Sequence, residues 1–312
     1  MNEGIDLRRR FYRRTWRAIL ADRQLYLMIL PGILFVFVFA YMPMYGLVLA
    51  FKTFKPKLGI LGSPWCGWEN FERFFFKTDA GYTIFNTLQI GFCNLLIGFP
   101  VPILLSLLLN ELHKKTFKRS IQSILYLPHF VSWVVIFSLL YSLFSTTAGI
   151  INRMIVSFGG SALNVLSDPS KFKGLVYLTS IWKGAGWGTI IYMAAIAGVD
   201  PQMYEAATID GANRFQQCLH VTLPAIAFSI TTMLILNAGS VLGANFDQIM
   251  NLRTDPTMRV SQIIDTYVYD MGVTKGQYGM STAIGLFQQI INSFLLFLSN
   301  TFVKRLNGEG FF

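Results

Sequence analysis

The chain has 312 residues, of which 53% are hydrophobic and 13% charged, and its mass is 35.3 kDa. This composition is typical of an integral membrane protein and excludes a large soluble catalytic domain. The 26 Lys and Arg residues outnumber the 16 Asp and Glu residues, so the formal net charge is +10. We interpret this excess as loops that face anionic lipid and not as a nucleic-acid site.

The N-terminal segment 1–24 is basic and contains seven arginines. It lacks the apolar stretch and small-residue cleavage site of a removable signal peptide, so we expect the first apolar run to remain as an anchor. Apolar residues between the arginines allow a basic helix lying on the membrane. A charge cluster that only sets the orientation of the chain is the alternative.

Six apolar runs follow that are long enough to cross about 30 Å of hydrocarbon. They cover residues 25–51, 82–109, 121–144, 175–197, 225–242 and 282–303. We therefore predict an all-α integral membrane fold with six transmembrane helices over 25–303 and a short tail, 304–312. An even number of spans places both termini on the same side.

The distribution of cations predicts which side that is. Besides the N-terminal arginines, the second loop and the C-terminus are basic, with Lys114, Lys115, Lys118, Arg119, Lys304 and Arg305. The loops on the opposite side are longer and mix their cations with acidic residues. By the positive-inside rule, both termini are expected to be cytoplasmic.

Residues 204–224 lie in the cytoplasmic connection between the fourth and fifth spans and do not resemble an ordinary loop. Small helix-forming residues precede a turn at Asp210 and Gly211, and Asn213 can cap a second short helix. The pattern predicts a helical hairpin that lies outside the membrane and can bind another protein.

The spacing of this hairpin resembles the EAA loop of binding-protein-dependent ABC importer permeases, and we place that coupling loop at 198–224. Val221 stands where isoleucine is usual. The residues that match the motif, and to which the resemblance assigns contact with an ATPase, are Glu205, Ala206, Ala207, Asp210, Gly211, Ala212, Leu223 and Pro224.

The resemblance extends over most of the chain. The first span, the sequence LYLPHFVSWVV at 125–135 and the last span are similar to the sugar branch of these permeases, which serves oligosaccharides and complex polysaccharide fragments. The resemblance implies a type I permease subunit of a bacterial inner (cell) membrane. It also implies partners of four kinds for this chain: a second similar permease, two cytoplasmic ATPase subunits, an extracytoplasmic solute-binding protein and a carbohydrate substrate.

The sequence contains no phosphate-binding loop of the G-x-x-x-x-G-K-[ST] type, so we predict a non-catalytic chain that binds no cofactor. ATP and Mg would be bound by the partner ATPases. The glycines at 184, 186 and 188 lie inside the fourth span, where we expect close helix packing through Gly184 and Gly188. The three cysteines and three histidines are scattered and predict neither a disulfide framework nor a metal site.

Polar and aromatic residues inside the spans are candidates for the substrate path, which we expect near the midplane between spans four, five and six. Sugars need hydrogen bonds at their edges and flat rings against their apolar faces. The candidates are Trp182, Lys183, Tyr192, Asn237, Gln288, Gln289 and Asn292. Each could instead form an interhelical bond, and Lys183 could instead be a snorkelling residue near the outer end of its span.

Three other functions stay open at this point. A permease for another solute would share every feature above. A secondary transporter should show buried acidic groups or an inverted repeat, and neither is evident. A structural membrane protein would leave the hairpin without an ATPase partner.

Overall fold

The computed structural model describes residues 22–243 and 245–307, so the predicted basic segment 1–24 lies almost wholly outside the described residues. Within them the chain is helical and contains no strand beyond one isolated bridge between Lys52 and Trp65. The helices are α1 Arg23–Phe51, α2 Glu69–Lys77, α3 Ala80–Asn110, α4 Lys115–Phe130, α5 Trp133–Phe144, α6 Ile150–Ser157, α7 Pro169–Ala197, α8 Pro201–Ile209, α9 Arg214–Ala225, α10 Ala227–Gly239, α11 Phe246–Leu252, α12 Met258–Ser261, α13 Ile264–Tyr269 and α14 Tyr278–Asn307.

Helices occur at all six predicted span positions, but not all of them qualify as spans. Of the described helices, α1, α3 and α14 are long and apolar enough to cross a membrane, and the number rises to five if the bent pairs α4–α5 and α9–α10 each count as one span. The fourth predicted span lies in α7, which has 29 residues. Because this helix also contains lysines and glycines, it is not among the helices that are apolar enough to count as spans. The number of six spans therefore stays a prediction.

We expected the third span to be one continuous helix, but it is broken at Pro128. Helices α4 and α5 meet there at an angle of 100°. Pro128 lacks a backbone N–H and lies in the 3-10 turn that ends α4. Ser132 then caps α5 by accepting a hydrogen bond from the Val135 N–H.

The connection between the fifth and sixth predicted spans also differs from the expected loop. Helices α11, α12 and α13 fold back onto the span helices and bury apolar side chains there. Ile249, Leu252 and Ile263 join Phe172 and Val176 of α7 in one core cluster. The guanidinium of Arg253 closes the segment with two 2.9 Å bonds to the Asp270 carboxylate.

Close helix packing at the glycines of α7 occurs at Gly188, as predicted, and at Gly186 in place of Gly184. A Cβ at Gly186 would collide with the Leu125 carbonyl of α4, and one at Gly188 would lie 2.8 Å from the Pro102 ring of α3. Gly184 has no such neighbour within 4 Å. The contact therefore uses Gly186 and Gly188, and the prediction for Gly184 was wrong.

Candidate functional site

The predicted hairpin is formed by α8, a turn and the first part of α9. Asp200 caps α8 by accepting a bond from the Gln202 N–H at 2.9 Å. After α8 the chain reverses at Gly211, whose φ of +80° is the left-handed conformation that glycine adopts without strain. Asn213 and Gln216 then form a reciprocal capping box at the start of α9. The predicted turn and cap are both confirmed.

Side chains inside the hairpin hold its two helices together. Gln217 is buried and donates to the Thr208 hydroxyl at 2.9 Å and to the Ala212 carbonyl at 3.3 Å. The Tyr204 and Thr222 hydroxyls are 3.0 Å apart. The hairpin is therefore a small structural unit with its own polar contacts.

The predicted coupling residues lie mostly on the outer surface of this unit. Glu205, Ala206, Asp210, Gly211 and Pro224 are exposed, whereas Ala207, Ala212 and Leu223 are half-buried. Two large apolar side chains of the hairpin are also exposed, Ile209 at 87% and Phe215 at 74%. Such residues at the tip of a hairpin favour contact with another protein.

A pocket of about 560 Å³ separates the hairpin from the end of α3. Across it, Arg214 lies 3.9 Å from the Glu111 carboxylate and 3.4 Å from His113 Nε2. Arg214 and Glu111 are both exposed, so this ion pair contributes little stability. The contact between the hairpin and α3 is therefore loose.

A second cavity, of about 330 Å³, lies inside the helical bundle and is walled by α3, α7 and α10. Tyr192 and Asn237, two of the predicted path residues, line it. No residue of α14 is among the described residues that line it, and α3 forms the third wall. Residues that the sequence analysis did not select also line it: Asn94, His129, Ser180, Trp187, Ser240 and Asn245.

An aromatic pair forms one wall of this cavity. The rings of His129 and Trp187 are stacked with centroids 4.3 Å apart and an interplanar angle of 4°. Phe130 meets Trp187 edge-on at 5.8 Å. Flat rings of this kind pack against the apolar face of a sugar. The sequence did contain a signal, since Ser180, Gly184, Trp187 and Ile191 recur at helical spacing.

Amide groups provide the polar part of the cavity. Asn94 donates to the Asn245 side-chain oxygen at 3.0 Å, while its own buried Oδ1 has no hydrogen-bond partner within the described structure. Asn237 donates to the Met233 carbonyl of its own helix at 2.7 Å. A buried acceptor without a donor is unfavourable, so a ligand hydroxyl at Asn94 would remove an energetic penalty.

The structure places Lys183 at the break between α4 and α5. Its ammonium donates to the carbonyls of Pro128, His129 and Val131 at 3.4, 2.7 and 2.5 Å. These carbonyls lie at the break between α4 and α5, where the Pro128 carbonyl also accepts from the Val131 N–H at 3.2 Å. Lys183 therefore holds the break, and with it the backbone that carries the His129 ring.

Gln288 and Asn292 hold the chain at Leu242, just after α10 ends inside the fifth predicted span. We call this point the second break; it is distinct from the bend between α9 and α10. Gln288 is 2% exposed and donates to the Leu242 carbonyl at 2.7 Å and to the Asp265 carboxylate at 2.8 Å. The side-chain oxygen of Asn292 accepts from the Leu242 N–H at 3.3 Å. Trp182 and Gln289 are exposed and do not line the cavity either.

Asp265, in α13, is an acidic group that the sequence analysis did not select. Its second oxygen is buried without a partner within the described structure. Burial raises the pKa of Asp265, and the hydrogen bond from Gln288 opposes that rise.

Comparisons with known proteins agree with this architecture. Residues 98–308 match the family described as binding-protein-dependent transport system inner membrane component. Protein LplB of Bacillus subtilis (strain 168) is 43% identical over 96% of this chain and 94% of its own length. The polygalacturonan/rhamnogalacturonan transport system permease protein YteP of the same organism is 45% identical over 94% of this chain and 92% of its own.

A solved structure is similar over nearly the whole chain. The crystal structure of a bacterial ABC transporter involved in the import of the acidic polysaccharide alginate contains a chain with a TM-score of 0.86 and 35% identity, covering 94% of this chain and 99% of that one. The chain belongs to the family of binding-protein-dependent transport system inner membrane components, the permease subunits of ABC importers.

Proposed function

We propose that this permease subunit forms half of the translocation path of an ATP-driven importer for oligosaccharides derived from complex polysaccharides. The observation that carries the proposal is the cavity between α3, α7 and α10, where a stacked His129–Trp187 pair faces amides and Tyr192. Stacking rings and amide groups are the chemistry that binds sugars. The names of the relatives, which include a polygalacturonan permease, favour the same substrate class.

Uronate-containing oligosaccharides are the first substrates to test. One relative is named for polygalacturonan and one solved neighbour for the acidic polysaccharide alginate. The described residues that line the cavity include no Asp or Glu. A sugar carboxylate would therefore meet no like charge from these residues.

ATP hydrolysis in this proposal belongs to two partner ATPase subunits, which bind Mg and ATP and grip the hairpin at its exposed coupling residues. Closure of the ATPase pair would move the coupling loop 198–224 and tilt the spans over 25–303. A second permease would supply the other half of the path, and an extracytoplasmic binding protein would deliver the sugar. The segments 1–24 and 304–312 would lie in the cytoplasm.

A transport assay tests the proposed path. The complete importer in proteoliposomes should take up oligogalacturonate in preference to arabino- or malto-oligosaccharides. Asn237→Leu should lower uptake at least severalfold while basal ATP hydrolysis stays close to normal. Asn251→Leu is the matched control, because Asn251 makes the same bond to a carbonyl four residues earlier, at 2.7 Å, but does not line the cavity. Equal effects of the two changes would contradict the path.

Coupling is tested by changes in the hairpin. Gly211→Val would force a β-branched residue into a left-handed conformation, and Glu205→Lys would reverse an exposed charge. Both variants should insert normally but lose ATPase subunits more readily in detergent. Gly276→Val is the control, because Gly276 also has a positive φ, of +66°, and open space around it. Normal assembly of both hairpin variants would refute the assignment.

Orientation is tested by thiol labelling. Cys66 should react with an impermeant reagent from outside the cell, and Cys218 only from inside. The reverse pattern would place the termini outside the cytoplasm.

A further inference from the structure

An apolar groove of about 580 Å³ runs between α3, α10 and α14, on the other side of one cavity wall. Leu95 and Val241 line both the groove and the cavity, so these two side chains separate them. The rest of the groove is lined by apolar side chains such as Phe92, Leu298 and Phe302. The groove is therefore a distinct site that the sugar path does not use.

Small residues on α10 create this groove. A Cβ at Gly239 would lie 2.6 Å from Leu296, so α10 and α14 make their close contact there. Ala238, the preceding residue, is buried and lines the groove with only a methyl group. A larger side chain at Ala238 would fill the space.

The groove has the length of one membrane leaflet. Its residues on α14 run from Leu295 to Arg305, which is about 15 Å along a helix axis. Half of a hydrocarbon core of about 30 Å has the same depth. With the C-terminus in the cytoplasm, an orientation that rests on the proposed function, the groove crosses the cytoplasmic leaflet and Arg305 lies at its headgroup end.

Arg305 gives that end of the groove a positive charge. The ion pairs found among the described residues do not include it. A guanidinium binds phosphate through two parallel N–H bonds. Basic residues between membrane helices on the cytoplasmic side are known to bind anionic lipid headgroups.

The width of the groove favours an acyl chain over a protein helix. A volume of about 580 Å³ spread over about 15 Å gives a mean cross-section of about 39 Å², whereas a helix of about 10 Å diameter needs about 80 Å². We propose that the groove binds an acyl chain of an anionic phospholipid from the cytoplasmic leaflet, with the lipid phosphate at Arg305.

Lipid retention by the complete transport complex tests this site without measuring transport, so it can fail independently of the proposed substrate. The complex is delipidated in detergent, then incubated with equal amounts of phosphatidylglycerol and phosphatidylcholine of the same acyl chains, and examined by native mass spectrometry. The wild type should retain phosphatidylglycerol about fivefold in preference, the ratio expected from one cation near an anionic headgroup. Arg305→Gln should bring the ratio close to one.

Lys304→Gln is the matched control, because it removes the same charge from the neighbouring position, which does not line the groove. It should keep the preference for phosphatidylglycerol. An equal loss in both variants, or an unchanged ratio in Arg305→Gln, would overturn the proposal.

A second measurement locates the lipid without relying on a substitution that could disturb folding. A phosphatidylglycerol with a photoreactive acyl chain should label the wild-type complex at Leu298 to Phe302 and near Phe92. Ala238→Phe, where it folds, should abolish that labelling. Labelling confined to other helices would refute the site, as would crosslinking of a Leu298→Cys variant to the second permease, which would identify a protein as the occupant.

Discussion

The two breaks in the span helices satisfy their free backbone groups in different ways. Between α4 and α5, one ammonium, that of Lys183, serves three carbonyls at the C-terminal end of a helix, where a positive charge also complements the helix dipole. After α10, the Gln288 amide donates to the Leu242 carbonyl and the Asn292 amide oxygen accepts from the Leu242 N–H. Gln288 also donates to the Asp265 carboxylate. A single charged side chain leaves no substitute when it is removed, whereas a neutral network can lose one member and keep the others.

Both breaks border the cavity, but the side chains that hold them lie outside its lining. The first break carries His129, whose ring lines the cavity, and the second lies beside Ser240 and Asn245, which also line it. The holding side chains themselves do not line it. The breaks are therefore expected to set the shape of the cavity, and changes in them should affect folding before they affect substrate binding.

The largest effect is expected from Lys183→Met. The carbonyls of His129 and Val131 would lose the Lys183 donor in apolar surroundings, while the Pro128 carbonyl would keep the Val131 N–H. Each buried unsatisfied group costs about 1–3 kcal/mol, so most of the folded complex should disappear. Lys183→Arg should restore part of it, because a guanidinium can reach more than one acceptor. The yield of monodisperse complex after size-exclusion chromatography measures this.

Lys171→Met on the same helix is its control, since Lys171 forms an exposed ion pair with Asp168 at 3.0 Å. A normal yield of the Lys183→Met complex would show that the break does not need the ammonium, and the contrast between the two breaks would be lost.

A smaller loss is expected from Gln288→Leu. The Leu242 carbonyl and the Asp265 carboxylate would each lose a donor, at a cost of roughly 1–3 kcal/mol, but the Asn292 contact would remain. The midpoint of thermal unfolding of the complex should fall, while Gln289→Leu, a change at the exposed neighbouring position, should leave it unchanged. A fall as large as that of Lys183→Met would mean that the neutral network is not redundant.

Asn292→Ala should have a still smaller effect. Its side-chain oxygen accepts one bond, from the Leu242 N–H at the long distance of 3.3 Å, and a typical hydrogen bond contributes about 0.5–1.5 kcal/mol. The same thermal measurement, with exposed Ser293→Ala as reference, should show a shift below that of Gln288→Leu. The reverse order would move the main support of the break from Gln288 to Asn292.

The hairpin could be predicted from the sequence because its contacts are local. Asn213 and Gln216 are three residues apart, and the turn at Gly211 needs one residue type. The cavity could be predicted only in part. Tyr192 and Asn237 are polar residues in apolar runs, which is a visible signal, but the contact between Asn94 and Asn245 joins positions 151 residues apart and no spacing rule reports it.

The breaks could not be predicted for a related reason. Pro100 and Pro102 lie in α3, which still counts as one span helix, whereas Pro128 ends α4. The sequence shows all three prolines alike. At Pro128 the ammonium of Lys183, 55 residues away along the chain, donates to carbonyls of the break, and no spacing rule reports that contact.

The smallest effect is expected at the carboxylate of the second break and appears as a pH dependence. Because burial raises the pKa of Asp265 above its ordinary value of 3.8, the folded protein holds this proton more tightly than the unfolded chain does. The resulting stabilisation is complete below pH 3.8 and is lost as the pH rises through the folded-state pKa.

The Asp265→Asn variant has no such proton, so the difference in unfolding midpoint between it and the wild type should grow in favour of the variant from about pH 4.5 to pH 8. Asp247→Asn, at an exposed position, should show a constant difference over the same range. A difference for Asp265→Asn that shrinks with rising pH would mean that the folded state stabilises the charged carboxylate, and the second break would then be held by a charge as the first one is.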